Sequence, residues 1–118
     1  MAQQEIPEAW RKDVCAVLNS GRSGHEIEWT FDAANRYEAS FNFAFQNELY
    51  PILVLYFRGL PKPTGCKVVM AKPVGETYEF LFQFKGVTAY GKVLLHANRK
   101  KITIFSAHLP LKSKLSCE

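Results

Sequence analysis

The stretch Thr77-Tyr78-Glu79-Phe80-Leu81-Phe82-Gln83-Phe84-Lys85-Gly86 decides the fold of this chain. Tyr78, Phe80, Phe82 and Phe84 recur at every second position, the period of a strand with one buried face. Lys85-Gly86 then reads as a hairpin turn, because glycine accepts the positive φ that such turns need. Val87 to His96 follows as the returning strand. Ala97-Asn98-Arg99-Lys100 turns again. Lys101 to Ala107 forms the last strand, with Ile102, Ile104 and Ser106 on one face and Thr103 and Phe105 on the other. Upstream, Lys67 to Met70 reads as a short strand and Pro73-Val74-Gly75 as a turn. Short links between successive strands imply an antiparallel meander.

The N-terminal half changes period. Pro7 to Asn19 is expected to be helical, with Pro7 in the first turn, Glu8 at the positive end of the helix dipole, and Trp10, Val14, Val17 and Leu18 as one apolar stripe. Gly21 and Gly24 end it. His25 to Phe31 alternates as a half-buried strand with Ile27, Trp29 and Phe31 on one side. Ala33 to Phe45 fits two patterns. A helix would group Ala33, Tyr37, Phe41, Ala44 and Phe45; a strand would group Tyr37, Ala39, Phe41, Phe43 and Phe45. Asp32 as a cap and the Ala33-Ala34 pair favour the helix. A further helix is expected from Asn47 to Arg58, with Asn47 as cap and Pro51 in its first turn. These elements fit a single α+β domain over 1–118, with N-terminal helices packed on a four- to five-stranded, mainly antiparallel sheet.

The composition fits one globular core. Of 118 residues, 47% are apolar and 16 are aromatic, nine of them Phe. The longest apolar run, Ile52 to Phe57, is far short of the ~20 residues a membrane helix needs. Cys15, Cys66 and Cys117 are odd in number and widely spaced, which argues against a disulfide framework and a zinc site. Three reduced thiols and the lack of a leader-like start at Met1 to Glu5 imply a cytoplasmic protein. Charge is uneven. Eleven Lys or Arg face three Glu from Arg58 to Glu118, whereas four face eight Asp or Glu before that. A basic sheet half suggests an acidic or polyanionic partner.

Three segments carry a resemblance to a known family. They are Ile27-Glu28-Trp29-Thr30-Phe31-Asp32-Ala33-Ala34-Asn35-Arg36-Tyr37-Glu38, Tyr78 to Gly86, and Ile102-Thr103-Ile104-Phe105-Ser106-Ala107-His108. In type and order they resemble the opening strand and helix, central hairpin and final strand of the RelE/ParE-like toxins of bacterial toxin–antitoxin systems. The likeness spans roughly Glu26 to Lys114. Two places depart from it: Val87, Thr88 and Ala89 stand where nuclease members place an Arg, and Leu109-Pro110 follows the terminal His. The resemblance implies a cytoplasmic, metal-free endoribonuclease that needs no cofactor. It would act on RNA or the ribosome and be silenced by a small acidic antitoxin. The alternative it implies is a non-catalytic, ParE-like inhibitor that works by protein contact; a phage- or mobile-element-encoded inhibitor also suits the size and charge, and a plain structural or assembly protein is the third reading.

Metal-free RNA cleavage needs a base for the 2′-hydroxyl, an acid for the leaving oxygen and cations for the phosphorane. His108, where the last strand leaves the sheet, is the candidate base or acid. Tyr90 and Lys92, two apart on one strand face, are candidates for proton donation or base stacking and for phosphate contact. Lys72, Lys85 and Lys112 are candidate RNA-binding cations. Gly91 between Tyr90 and Lys92 marks a bulge or a close backbone approach. Glu79 is a possible general acid or base whose alternation reads as solvent-facing, and His96 and His25, at strand ends, read as structural or simply exposed. The Arg99-Lys100-Lys101 cluster falls at the far end of the last strand from His108, outside the site.

Overall fold

The computed structural model describes residues 3–42, 44–59, 62–110 and 114–118. The chain runs β1 (Gln4–Glu5), α1 (Glu8–Ser20), β2 (Ile27–Trp29), α2 (Phe31–Ser40), α3 (Leu49–Arg58), β3 (Thr64–Val68), β4 (Gly75–Phe84), β5 (Val87–His96) and β6 (Ile102–His108). A 3₁₀ turn, Gln46–Glu48, leads into α3. Six strands form one sheet in the order β1-β3-β4-β5-β6-β2. All neighbours are antiparallel except β2 and β6, which run parallel. The expected meander is therefore present from β3 to β6. The sheet exceeds the expected four to five strands because the two-residue β1 pairs onto β3 ahead of α1.

The central pair sets the frame. β4 and β5 pair along ten residues, from Gly75↔His96 to Phe84↔Val87, and Lys85-Gly86 turns with φ of 52° and 81°. Tyr78, Phe80, Phe82 and Phe84 are all buried, facing the helices. Tyr56 of α3 stacks on Phe80, and Phe57 meets the same ring edge-on. Trp10 of α1 packs edge-on against both Phe57 and Tyr78, and its indole N–H donates to the carbonyl of Glu76 (2.9 Å). Such aromatic edge contacts add to the gain from burial alone. Arg11 is also buried on α1. Its guanidinium donates to the carbonyls of Ile6 (2.9 Å) and Phe57 (2.8 Å), so it satisfies a carbonyl in the last turn of α3.

Several local expectations change. The helical reading of 33–45 holds only as far as Ser40. The cap is Thr30, whose hydroxyl accepts from the Ala33 amide (3.1 Å), while Asp32 pairs with Arg36 within the helix. Phe31 thereby becomes a helix residue and is exposed rather than inward, as is Phe45. Phe43 lies outside the described residues. Asn47 sits inside the 3₁₀ turn instead of capping, and Pro51 does fall in the first turn of α3. β3 starts at Thr64 and ends at Val68; Val69 is exposed. On β6 the register slips opposite Lys92/Val93: Lys92 pairs with Ser106 and Val93 with Ile104. This bulge at Phe105 moves Ser106 to the face opposite Ile102 and Ile104.

The cysteine expectation is overturned. Cys66 and Cys117 form a disulfide with Cα atoms 5.6 Å apart, leaving Cys15 free and buried. The ground for inferring a reducing compartment from cysteine usage falls with it.

Gly91 sits opposite Phe80. A Cβ there would lie 2.6 Å from Cε2 of the Phe80 ring and 3.1 Å from Phe82, inside van der Waals contact. Gly91→Ala is expected to destabilise the fold by about 1–3 kcal/mol through overpacking. Urea unfolding measures it, and unchanged stability would contradict this packing.

Candidate functional site

Directly opposed residues of antiparallel strands share a face. Burying Tyr78, Phe80, Phe82 and Phe84 against the helices therefore puts Glu79 and Leu81 on the far side. One row across that side reads Cys66, Glu79, Lys92 and Ser106. The next reads Leu81, Tyr90 and His108. His108, Tyr90 and Lys92 thus come together on one face. The rings of Tyr90 and His108 are 5.4 Å apart, and the Lys92 ammonium lies 6.0 Å from the Phe105 ring.

Glu79 joins them, although its strand position read as solvent-facing. It is only 4% exposed. Its Oε2 accepts from the Tyr90 hydroxyl and its Oε1 from the Ser116 amide, both at 2.5 Å. The cover comes from the C-terminal segment, which no strand periodicity announces. A signal for the pairing did exist: counting back from the Lys85-Gly86 turn sets Glu79 opposite Lys92.

Electrostatics follow from these contacts. Burial pushes the Glu79 carboxyl up, but hydrogen bonds from Ser116 and Tyr90 and the charge of Lys92 outweigh it and hold the pKa below 4.5. Burial, then the hydrogen bond and charge of Glu79, push the Tyr90 phenol far above 10.0. At neutral pH the pair is a carboxylate accepting a hydrogen bond from a neutral phenol. His108 is 6% exposed, and its Nδ1 lies 2.6 Å from the carbonyl oxygen of Leu109. A carbonyl only accepts, so Nδ1 carries the proton and Nε2 is the nitrogen left to take one.

The candidate RNA-binding cations do not gather here. Lys72 is exposed in the loop before β4. Lys85 is at the opposite end of β4, in the hairpin turn, where its ammonium pairs with Glu48 at 3.1 Å. Lys112 lies outside the described residues. At the other end of β6, Arg99 is held by Asp13 and Glu76, away from the site as expected. His96 contacts the Thr103 hydroxyl (2.7 Å), which donates to Glu28 (3.1 Å), a polar chain across the sheet that fits a structural role. Burial and the charge of Lys101 lower its pKa against the opposing pull of Glu28.

No protein-family model, curated protein or solved structure matches the chain.

Because the folded-state pKa of Glu79 lies below its ordinary 4.5, its ionised form stabilises the fold. That contribution is complete above the unfolded value and disappears as pH falls through the folded one. The stability gap between wild type and Glu79→Gln should be constant above about pH 5 and shrink on acidification. Urea unfolding across pH measures it; a pH-independent gap would show that Glu79 is not ionised in the fold.

Proposed function

We propose that the sheet face bearing Tyr90, Lys92 and His108 binds RNA and cleaves it by metal-free acid–base chemistry. The observation that carries this reading is the convergence of those three side chains, from two neighbouring strands, on the face away from the helices. In this reading His108 Nε2 takes the 2′-hydroxyl proton, and the 2′-oxygen attacks the adjacent phosphorus. Lys92 stabilises the charge gathered on the phosphoryl oxygens, Tyr90 stacks on a base, and the His108 imidazolium returns its proton to the 5′-oxygen as the P–O5′ bond breaks. Glu79, hydrogen-bonded to Tyr90, fixes the phenol in place.

The likeness to RelE/ParE-like toxins noted in the sequence supports the same reading. So does the charge excess of the second half of the chain. The likeness implies a cytoplasmic site of action, RNA or the ribosome as target, and a small acidic antitoxin as partner.

A second reading draws on the partial closure of the site. Both oxygens of Glu79 are engaged and His108 is almost covered, which suits a protein that inhibits by contact without catalysis. The two readings separate on single-stranded RNA incubated with reduced protein. The ribonuclease reading expects discrete cuts, slowed about 100-fold or more in His108→Ala and in Lys92→Ala, with folding intact by circular dichroism. Growth inhibition on expression without any cutting would leave the contact inhibitor.

A further inference from the structure

We infer that the C-terminal segment 114–118 is a disulfide-latched strap over this site, released by reduction of Cys66–Cys117. What it gates rests on the ribonuclease reading above; the strap itself rests on four separate observations. The disulfide ties Cys117 to Cys66, which stands in the same cross-strand row as Glu79, Lys92 and Ser106. The amide of Ser116 donates to Glu79. Leu115 is buried, although the residues on either side of it are exposed. The Leu115 amide donates to the Glu118 carboxylate (2.9 Å) and the Glu118 amide to the Leu115 carbonyl (3.1 Å), which closes the end of the strap into a turn.

This short segment has no ladder of its own to hold it. A lone buried leucine and a few hydrogen bonds make a weak dock in competition with chain entropy. The covalent link changes that balance, because it keeps the strap at high local concentration over Glu79. Once the link is cut, Glu79 exchanges the Ser116 amide for solvent or substrate, and the Glu79 end of the polar row opens.

A small dithiol completes the chemistry. One of its thiolates attacks Sγ of Cys117, the half-exposed partner, and Cys66 leaves as a thiolate. The second thiol of the reductant attacks the mixed disulfide and releases Cys117. The reductant becomes a cyclic disulfide, and two electrons and two protons pass to the protein. Cys15 lies in the core on α1 and takes no part.

The test uses amide hydrogen exchange on the oxidised protein, the dithiothreitol-reduced protein and Cys117→Ser. The Leu115 and Ser116 amides should exchange about 10-fold faster or more after reduction and in the variant, while β4 and β5 stay protected. Unchanged exchange at Leu115 and Ser116 would overturn the strap. A rise of equal size throughout β4 and β5 would also overturn it, since the disulfide would then hold the whole sheet.

RNA cleavage is followed on the same samples. Cutting about 10-fold faster or more in the reduced form supports the gate, whereas equal cutting in both forms overturns it. A strap released without cutting in either form upholds the strap and removes the ribonuclease reading.

Discussion

The ten-residue pairing of β4 with β5 is the constraint on which the rest of the molecule depends. A strand alternates its side chains, so committing four aromatics of β4 to the helices leaves its intervening residues no other side. The pairing then fixes what lies beside them: Lys92 next to Glu79, Tyr90 next to Leu81. The packing of Trp10, Tyr56 and Phe57 on one face and the polar row on the other are two results of one alternation. A slip of one residue would bury Glu79 among aromatic rings and expose those rings to water.

The same alternation made this part of the fold legible. Tyr78, Phe80, Phe82 and Phe84 need only local sequence to announce a half-buried strand, and Lys85-Gly86 fixes the register. Convergence of Tyr90 and Lys92 follows from spacing alone. His108 joins them through the β5–β6 pairing, and here the bulge at Phe105 matters. Uninterrupted alternation assigned Ser106 the face of Ile102 and Ile104; the extra residue moves Ser106 and His108 onto the face of Lys92 and Tyr90. A bulge is set by how a strand fits its neighbour, which a single strand's sequence does not display.

Other features were hidden because they are long-range. Cys66 and Cys117 are 51 residues apart, and nothing local to either predicts that the C-terminus returns across β3. Glu79 was placed on the correct face but read as wet, since the cover over it carries no periodic signal. At the start of α2, Asp32 alone reads as the cap, because its carboxylate is a common capping group. The structure uses Thr30, whose hydroxyl reaches the Ala33 amide three residues on, and leaves Asp32 to pair with Arg36. The two sides of the sheet therefore differ in kind. The helix side is an aromatic core specified by pattern; the opposite side sets a polar row beside buried Leu94, Thr77 and Thr103, and the tethered segment covers its Glu79 end.

The function proposed for this molecule places RNA on the face that bears Tyr90, Lys92 and His108. The most direct measurement is an amide and side-chain NMR titration of the reduced protein with a short single-stranded RNA. Shifts should concentrate at Glu79, Tyr90, Lys92, Ser106 and His108 and weaken steeply as salt is raised. Shifts confined to the helices or to the Asn98–Lys100 turn, with those five residues unmoved, would contradict it.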